Sequence, residues 1–231
     1  MDKTLKLSWA FLTSPSGAAE ASRDERNASA ALRIYAAFTF LYLLFFWLKP
    51  FDFPDQNAVL PPEGQGLAFW LRVMLWQPPL EAAWIIFLIG MMRWFREGSL
   101  PVKLAAAAAW TACPFIMMAL HAAGSLPKTA LAAGTIVWMG LYYPLLRGSR
   151  RQEWLPCASF MLGLNAIGVV LLIPMTMMVL IRASSAFMTT QAIGGLWMLA
   201  AATLGLRGLS GQRLPRAFMA VLLSMFFQFA F

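Results

Sequence analysis

The stretch WQPPLEAAWIIFLIGMMRW, residues 76–94, sets one carboxylate, Glu81, two residues after a proline pair in an otherwise apolar run. A carboxyl group inside hydrocarbon is costly, and intramembrane acids commonly mark proton relays or ion paths. Counted back from Arg93, Glu81 is 12 residues deep. That is about 18 Å along an ideal helix, in a hydrocarbon layer ~30 Å thick. A second reading competes with this one. Pro79 followed by Glu81 resembles a helix start, where proline fits the first turn and an acid meets free amides and the positive dipole end. On that favoured reading Glu81 caps a break, residues 67–76 form a separate short helix, and Arg72 serves as counter-ion.

The remaining chemistry is sparse. Asn165, Thr176 and Gln191 are polar residues within apolar runs, and single amides at such depth usually bond to a neighbouring helix. A polar path would need Glu81, Asn165 and Gln191 to converge. His121 is the only imidazole, and its nearest serine, Ser125, sits in a connecting loop. Asp2, Asp24, Asp52 and Asp55 all fall outside the apolar runs, so no intramembrane aspartate pair can share a proton. No phosphate-cradling glycine loop occurs. Cys113 and Cys157 are too far apart along the spans for a loop-stapling disulfide, and with one histidine they cannot complete a zinc site. The expectation is a protein that is not an enzyme and has no metal or cofactor.

These residues must be positioned by elements suited to lipid. Of 231 residues, 60% are hydrophobic and 12% charged, with mean hydropathy +0.66. A soluble domain carries about 25% charged residues, and no soluble core of this length could bury so much apolar side chain. The predicted fold is an all-α polytopic transmembrane bundle. Apolar runs near the ~20 residues that cross hydrocarbon lie at 30–48, 67–92, 104–123, 129–146, 155–181, 187–206 and 215–231. Seven spans are favoured, with five plus a re-entrant hairpin as the alternative.

Short cytoplasmic loops gather Lys and Arg. With the N-terminus inside and seven crossings, the inner side receives Lys3, Lys6, Arg23, Arg26, Arg33, Arg93, Arg96, Lys103, Arg147, Arg150, Arg151, Arg207, Arg213 and Arg216. Only Lys49, Arg72, Lys128 and Arg182 fall outside, out of 18 basic residues. The C-terminus is then external. The net charge of +8 is punctuation between spans with no continuous patch, so nucleic acid is not an expected partner. Anionic lipid headgroups at the inner leaflet are.

Residues 1–29 form a cytoplasmic segment preceding the transmembrane domain, 30–231. They lack a basic end followed by an apolar core, so no cleavable signal is expected. Leu5, Trp9 and Leu12 recur at helical spacing beside Lys3 and Lys6, which predicts a short interfacial helix ending at Pro15. Trp9, Lys3, Lys6, Arg93, Arg96, Arg150 and Arg151 then make a lipid- or partner-facing inner surface. Within the spans, Gly163, Gly168, Gly194, Gly195 and the alanine run 105–109 suit close helix packing. Pro114, Pro144 and Pro174 predict kinks or breaks.

The opening LSWAFLTSPSGAA resembles the Trp/Pro lead-in of bacterial members of the Yip family, multipass proteins named for binding Ypt/Rab GTPases. EAAWIIFLIGMMRWFREGSLPVKLAAAAAWTACPFIM, with Gly98 in a loop and Pro114 mid-helix, is similar to that family's layout. IGGLWMLAAATLGLRGLSGQRLPRAFMAVLLSMFF, with Gly208 and Gly211, resembles its last two spans. The resemblance implies a non-enzymatic membrane protein concerned with membrane organisation or trafficking. Short loops and high Ala, Trp and Met content point to a bacterial inner membrane. The leading expectation is a scaffold or accessory subunit that binds integral membrane partners or lipids. The alternative is a transporter component with a polar intramembrane path.

Overall fold

The computed structural model describes residues 2–50, 52–54, 66–147 and 151–230, with side chains except at 151–152 and 226–230. Among these residues the chain is all-α. The helices are α1 (Lys3–Thr13), α2 (Pro15–Ala21), α3 (Ala28–Leu48), α4 (Leu67–Trp94), α5 (Leu100–Ala122), α6 (Lys128–Gly140), α7 (Tyr143–Leu146), α8 (Arg151–Leu180), α9 (Ser184–Ser210) and α10 (Leu214–Ala230). Six segments are long and apolar enough to cross a membrane: α3, α4, α5, α6 with α7, α8 and α9. The chain is a polytopic transmembrane bundle. α10, with 17 residues, is at the short limit for a crossing.

α8 lies at the centre, packed by α3, α9 and α1, while α10 pairs with α4 and α9. The α5–α6 hairpin is peripheral, and most of its surface is left to lipid. The 23 residues of α5 span about 34 Å, a full hydrocarbon thickness, so the hairpin is no shallow re-entrant loop. The bundle has two ends, identified by contacts. At one, Arg93 near the end of α4 reaches the end of α7, Arg23 reaches the end of α9, and Arg96 meets Glu153 of α8. At the other, Asp52 and Arg182 pair at 3.4 Å across the connections after α3 and α8.

Close approach of these helices depends on rings set over glycines. A Cβ on Gly163 would fall 2.2 Å from the Phe11 ring, on Gly168 2.5 Å from Phe38, and on Gly205 2.0 Å from Phe160. Gly90 is covered in the same way by Tyr142. Gly194 is filled by Leu171, whereas Gly195 faces open space. The alanine run behaves differently from expectation, because of 105–109 only Ala107 is buried.

Proline interrupts less than the sequence suggests. α5 and α8 run unbroken through Pro114 and Pro174. Only Pro144 marks a break, following the α6–α7 turn. Transmembrane helices tolerate internal proline because neighbouring groups satisfy the freed carbonyls.

The N-terminal segment is part of the bundle. Asp2 caps α1 through the Thr4 amide, and Ser14 caps α2 through the Gly17 amide with Pro15 in the first turn. The stripe expected to anchor α1 is split: Leu5 and Trp9 are on its outer face, 60% and 62% exposed, while Leu12 is half-buried against the core. The face that packs is Leu7 and Phe11, four apart, with Phe11 fully buried 5.2 Å from the Phe160 ring. Ala18 and Ala19 of α2 complete the same core.

Filling an occupied glycine notch should cost about 1–3 kcal/mol. Gly205→Ala and Gly163→Ala should therefore lower the thermal midpoint of the detergent-solubilised protein. Gly195→Ala, which meets nothing, should leave it level or raise it slightly. Equal midpoints for all three would contradict the ring-on-glycine packing.

Candidate functional site

Helices end with carbonyl groups that lack intrahelical partners and carry the negative end of the helix dipole. At the basic end of the bundle, side-chain donors meet these carbonyls. Arg216, in the first turn of α10, donates to the carbonyls of Phe95, Arg96 and Gly98 at 2.8, 2.7 and 2.7 Å, closing the end of α4. Gln212 Nε2 donates to Met92 O at 2.5 Å. Arg93 donates to Leu146 O and Arg147 O at 3.4 and 3.3 Å, closing α7. Arg23 donates to Gly208 O at 2.9 Å, closing α9 before Gly211 turns the chain at φ 67°. Glycine at that left-handed position is the usual helix stop.

Two of these capping arginines, Arg23 and Arg93, border a cavity of about 320 Å³ among the turn after α2, α4, α8 and α9. Arg23, Arg93 and Arg96 stand at its mouth with Glu25 and Glu153. Its floor is apolar: Ile89, Met92, Leu155, Pro156, Cys157 and Leu209. Arg96 and Glu153 are 3.7 Å apart and well exposed, which makes a weak, screened pair. A guanidinium has five N–H donors in a fork that matches phosphate, so carbonyl capping leaves donors for an anion. The arrangement can hold an anionic head over an apolar stem. Beside it, Asp24 accepts the Arg26 amide at 3.0 Å, and that bond holds its carboxyl below the usual carboxylate range.

A second cavity, about 360 Å³, lies between α4, α5 and the α6–α7 break, lined mainly by apolar atoms of Trp94, Trp110, Tyr142 and Leu145. Phe87, Trp110, Trp138 and Tyr142 stack there, the Trp110 and Trp138 rings 4.3 Å apart. Trp138 Nε1 donates to Trp110 O at 2.9 Å, and Tyr142 Oη donates to Phe87 O. The first bond closes the α5–α6 hairpin on itself, and the second holds it to α4. Among the described residues no three His, Cys, Asp or Glu side chains gather to hold a metal.

The residues singled out from sequence divide into separate places. Arg93 and Arg96 meet at the cavity mouth, while Lys3, Lys6 and Trp9 are exposed on α1. Arg150 lies outside the described residues, and Arg151 opens α8, its side chain likewise outside them. Glu81 is not a cap at a break: α4 is continuous through Pro78 and Pro79, and Glu81 falls in its middle. Arg72 is exposed nine residues away on the same helix, about 13 Å along the axis, and is not its counter-ion. Asn165 is buried and turned onto its own helix, donating to Met161 O and Leu162 O at 3.3 and 3.1 Å. Gln191 is exposed on α9. The three proposed path residues do not converge.

Sequence reasoning missed Arg23, Glu153, Gln212 and Arg216 as site-builders. A basic residue just past a predicted helix end was the available signal, since that is where carbonyls need donors. No family model, curated protein or solved structure matches the chain.

Arg216→Ala should lower the thermal midpoint in detergent, because hydrogen bonds from a charged donor contribute up to roughly 1.5–3 kcal/mol each, less for the two solvent-exposed bonds to Arg96 O and Gly98 O. Arg216→Lys should recover only part of the loss, since an ammonium cannot fork across three carbonyls. A fully stable Arg216→Ala protein would show that the capping contacts contribute nothing.

Proposed function

We propose that this protein is a non-enzymatic scaffold or accessory subunit of the bacterial inner membrane, binding anionic lipid and neighbouring membrane proteins at its basic end. The observation that carries the reading is the cavity in which Arg23, Arg93 and Arg96 stand over an apolar floor. A phosphate group bound there would meet forked donors, and a glycerol or acyl stem would cover Ile89 and Leu155. On this reading the basic end is cytoplasmic, which agrees with the loop charge bias. α1 then lies in the inner interface with Trp9 and Leu5 toward lipid, and Lys3 and Lys6 each contribute about 1 kcal/mol toward anionic headgroups. The resemblance to Yip proteins makes membrane organisation the setting proposed for this binding. A transporter role has less support, because Glu81, Asn165 and Gln191 are apart.

Native mass spectrometry of the detergent-purified protein with added phosphatidylglycerol should show bound lipid. Arg96→Ala should reduce its occupancy about tenfold, the equivalent of ~1.4 kcal/mol. Equal occupancy in both proteins, or equal retention of phosphatidylcholine, would remove the lipid reading.

Orientation is testable separately by single-cysteine labelling in a chain whose Cys113 and Cys157 are replaced by serine. A membrane-impermeant reagent applied from outside should reach a cysteine at position 184, and should not reach one at 98 or 210. Outside labelling at 98 would invert the proposed topology.

A further inference from the structure

Away from the basic end, Tyr35 Oη on α3, and Glu81 Oε1 and Trp84 Nε1 on α4, are buried without a hydrogen bond, and these two helices pack together. Trp84 follows Glu81 by three residues on an unbroken helix, so both occupy one face. α3 brings Tyr35 close enough for the Glu81 carboxyl to act on its hydroxyl, beside which the Thr39 side chain of the same helix also stands. Glu81 is 13 residues from the end of α4 at Trp94, about 20 Å along the axis and deep in hydrocarbon. Leaving one such group unpaired costs roughly 1–3 kcal/mol, and lipid offers no substitute partner.

The chemistry of the three atoms selects what fits among them. The indole N–H only donates, the carboxylate only accepts, and the phenol does either. A metal ion or ammonium would satisfy the carboxylate but face the positive end of the indole N–H. An anion would satisfy the indole and be repelled by the carboxylate. Water meets all three needs, accepting from Trp84 and donating to Glu81 while bonding the Tyr35 hydroxyl.

Among the described side chains no fixed cation on the helices packed around it is at hand to hold the charge. On α4 itself the other charged groups are Arg72, exposed and nine residues away, and Arg93, at the basic end. α3 contributes Arg33, which is exposed, and Tyr42. Among described side chains, α8 contributes Glu153 and Cys157, α10 contributes Arg216, α7 contributes Tyr143 and α5 contributes Lys103, Cys113 and His121. Glu153, Cys157, Arg216 and Lys103 belong to the basic end.

We propose that Tyr35, Glu81 and Trp84 form an intramembrane site for water at which Glu81 takes up and releases a proton. On release the Glu81 O–H bond breaks, its electron pair stays on the carboxylate, and the proton passes to the bound water. Loading reverses the step. Trp84 and Tyr35 act as positioning residues that hold the water and, through it, stabilise the carboxylate. The site is independent of lipid binding at the basic end.

Dicyclohexylcarbodiimide is an apolar reagent that adds only to a protonated carboxyl: the proton moves to one nitrogen, the carboxyl oxygen bonds the central carbon, and rearrangement leaves a stable N-acylurea. Peptide mass spectrometry of the labelled full chain in detergent should find the adduct on Glu81 at acidic pH and lose it as pH rises. Glu81→Gln should abolish it. Tyr35→Phe and Trp84→Phe each delete one hydrogen-bonding atom. Both should carry labelling to pH values about one unit more alkaline, a tenfold change in protonated fraction at fixed pH. Labelling that is flat with pH, or a profile unmoved in both variants, would overturn the proposal. Infrared spectroscopy of the unsubstituted protein gives a second readout. The Glu81 carboxyl band, identified by its loss in Glu81→Gln, should shift in heavy water, and a band that does not exchange would equally overturn it.

Discussion

Everything in this bundle depends on how closely its helices approach, and that distance is set where an aromatic ring occupies the space a glycine leaves. Phe11 on Gly163, Phe38 on Gly168 and Phe160 on Gly205 tie α1, α3 and α9 to the single central helix α8. Helices in lipid gain little from removing apolar surface from an apolar solvent, so association rests on contact density and on polar atoms that must be paired. A ring over a glycine supplies the first, bringing many carbon atoms into dispersion contact with a backbone that has no Cβ to fend them off. The same contacts make α1 a structural member of the bundle, since removing it would uncover Gly163 and the Phe160 ring.

The second need, pairing of polar atoms, concentrates arginine at one end. α4, α7 and α9 all finish there, and their last carbonyls must be satisfied by something other than the helix. Arg216, Arg93 and Arg23 do so from elements distant in sequence. Stability and a basic, amphipathic cavity thus have one cause. Arg23 and Arg93 both close helix ends and line its mouth, joined there by Arg96, while Arg216 serves α4 outside the cavity.

Against this background of paired groups, the seam between α3 and α4 stands out. Asn165 meets its need on its own helix and Tyr142 on the Phe87 carbonyl, whereas buried polar atoms of Tyr35, Glu81 and Trp84 have no hydrogen-bond partner. A protein under pressure only to be stable would have apolar residues at those three places, because isosteric apolar replacement removes the desolvation cost. Buried oxygens of Thr4, Thr203 and Gln212 are unpaired too, but only this pair of helices carries a carboxyl among such atoms, and that is the physical reason to treat the seam as a site.

Composition and hydropathy decided the solvent and the fold class, because 60% apolar residues in 231 leave lipid as the only environment able to cover them. Run length placed the helices within a few residues, since a bilayer imposes a narrow range on any helix that crosses it. Glycines 163, 168 and 194 were legible as packing positions, because only close approach favours Gly inside a span. Tertiary structure decided the rest. The two prolines before Glu81 read locally as a break, yet α4 continues through them, because the bundle around a helix can restore what proline removes. Leu7 and Phe11, rather than Leu5 and Trp9, became the packed face of α1: both pairs have helical spacing, and only the location of Gly163 distinguishes them. Arg23, Arg93, Arg96 and Glu153 share a cavity although Arg23 and Glu153 are far apart in sequence. Periodicity reports which face of a helix is apolar; which helix end lies beside which arginine depends on the order in which the spans assemble, and a linear pattern does not contain it.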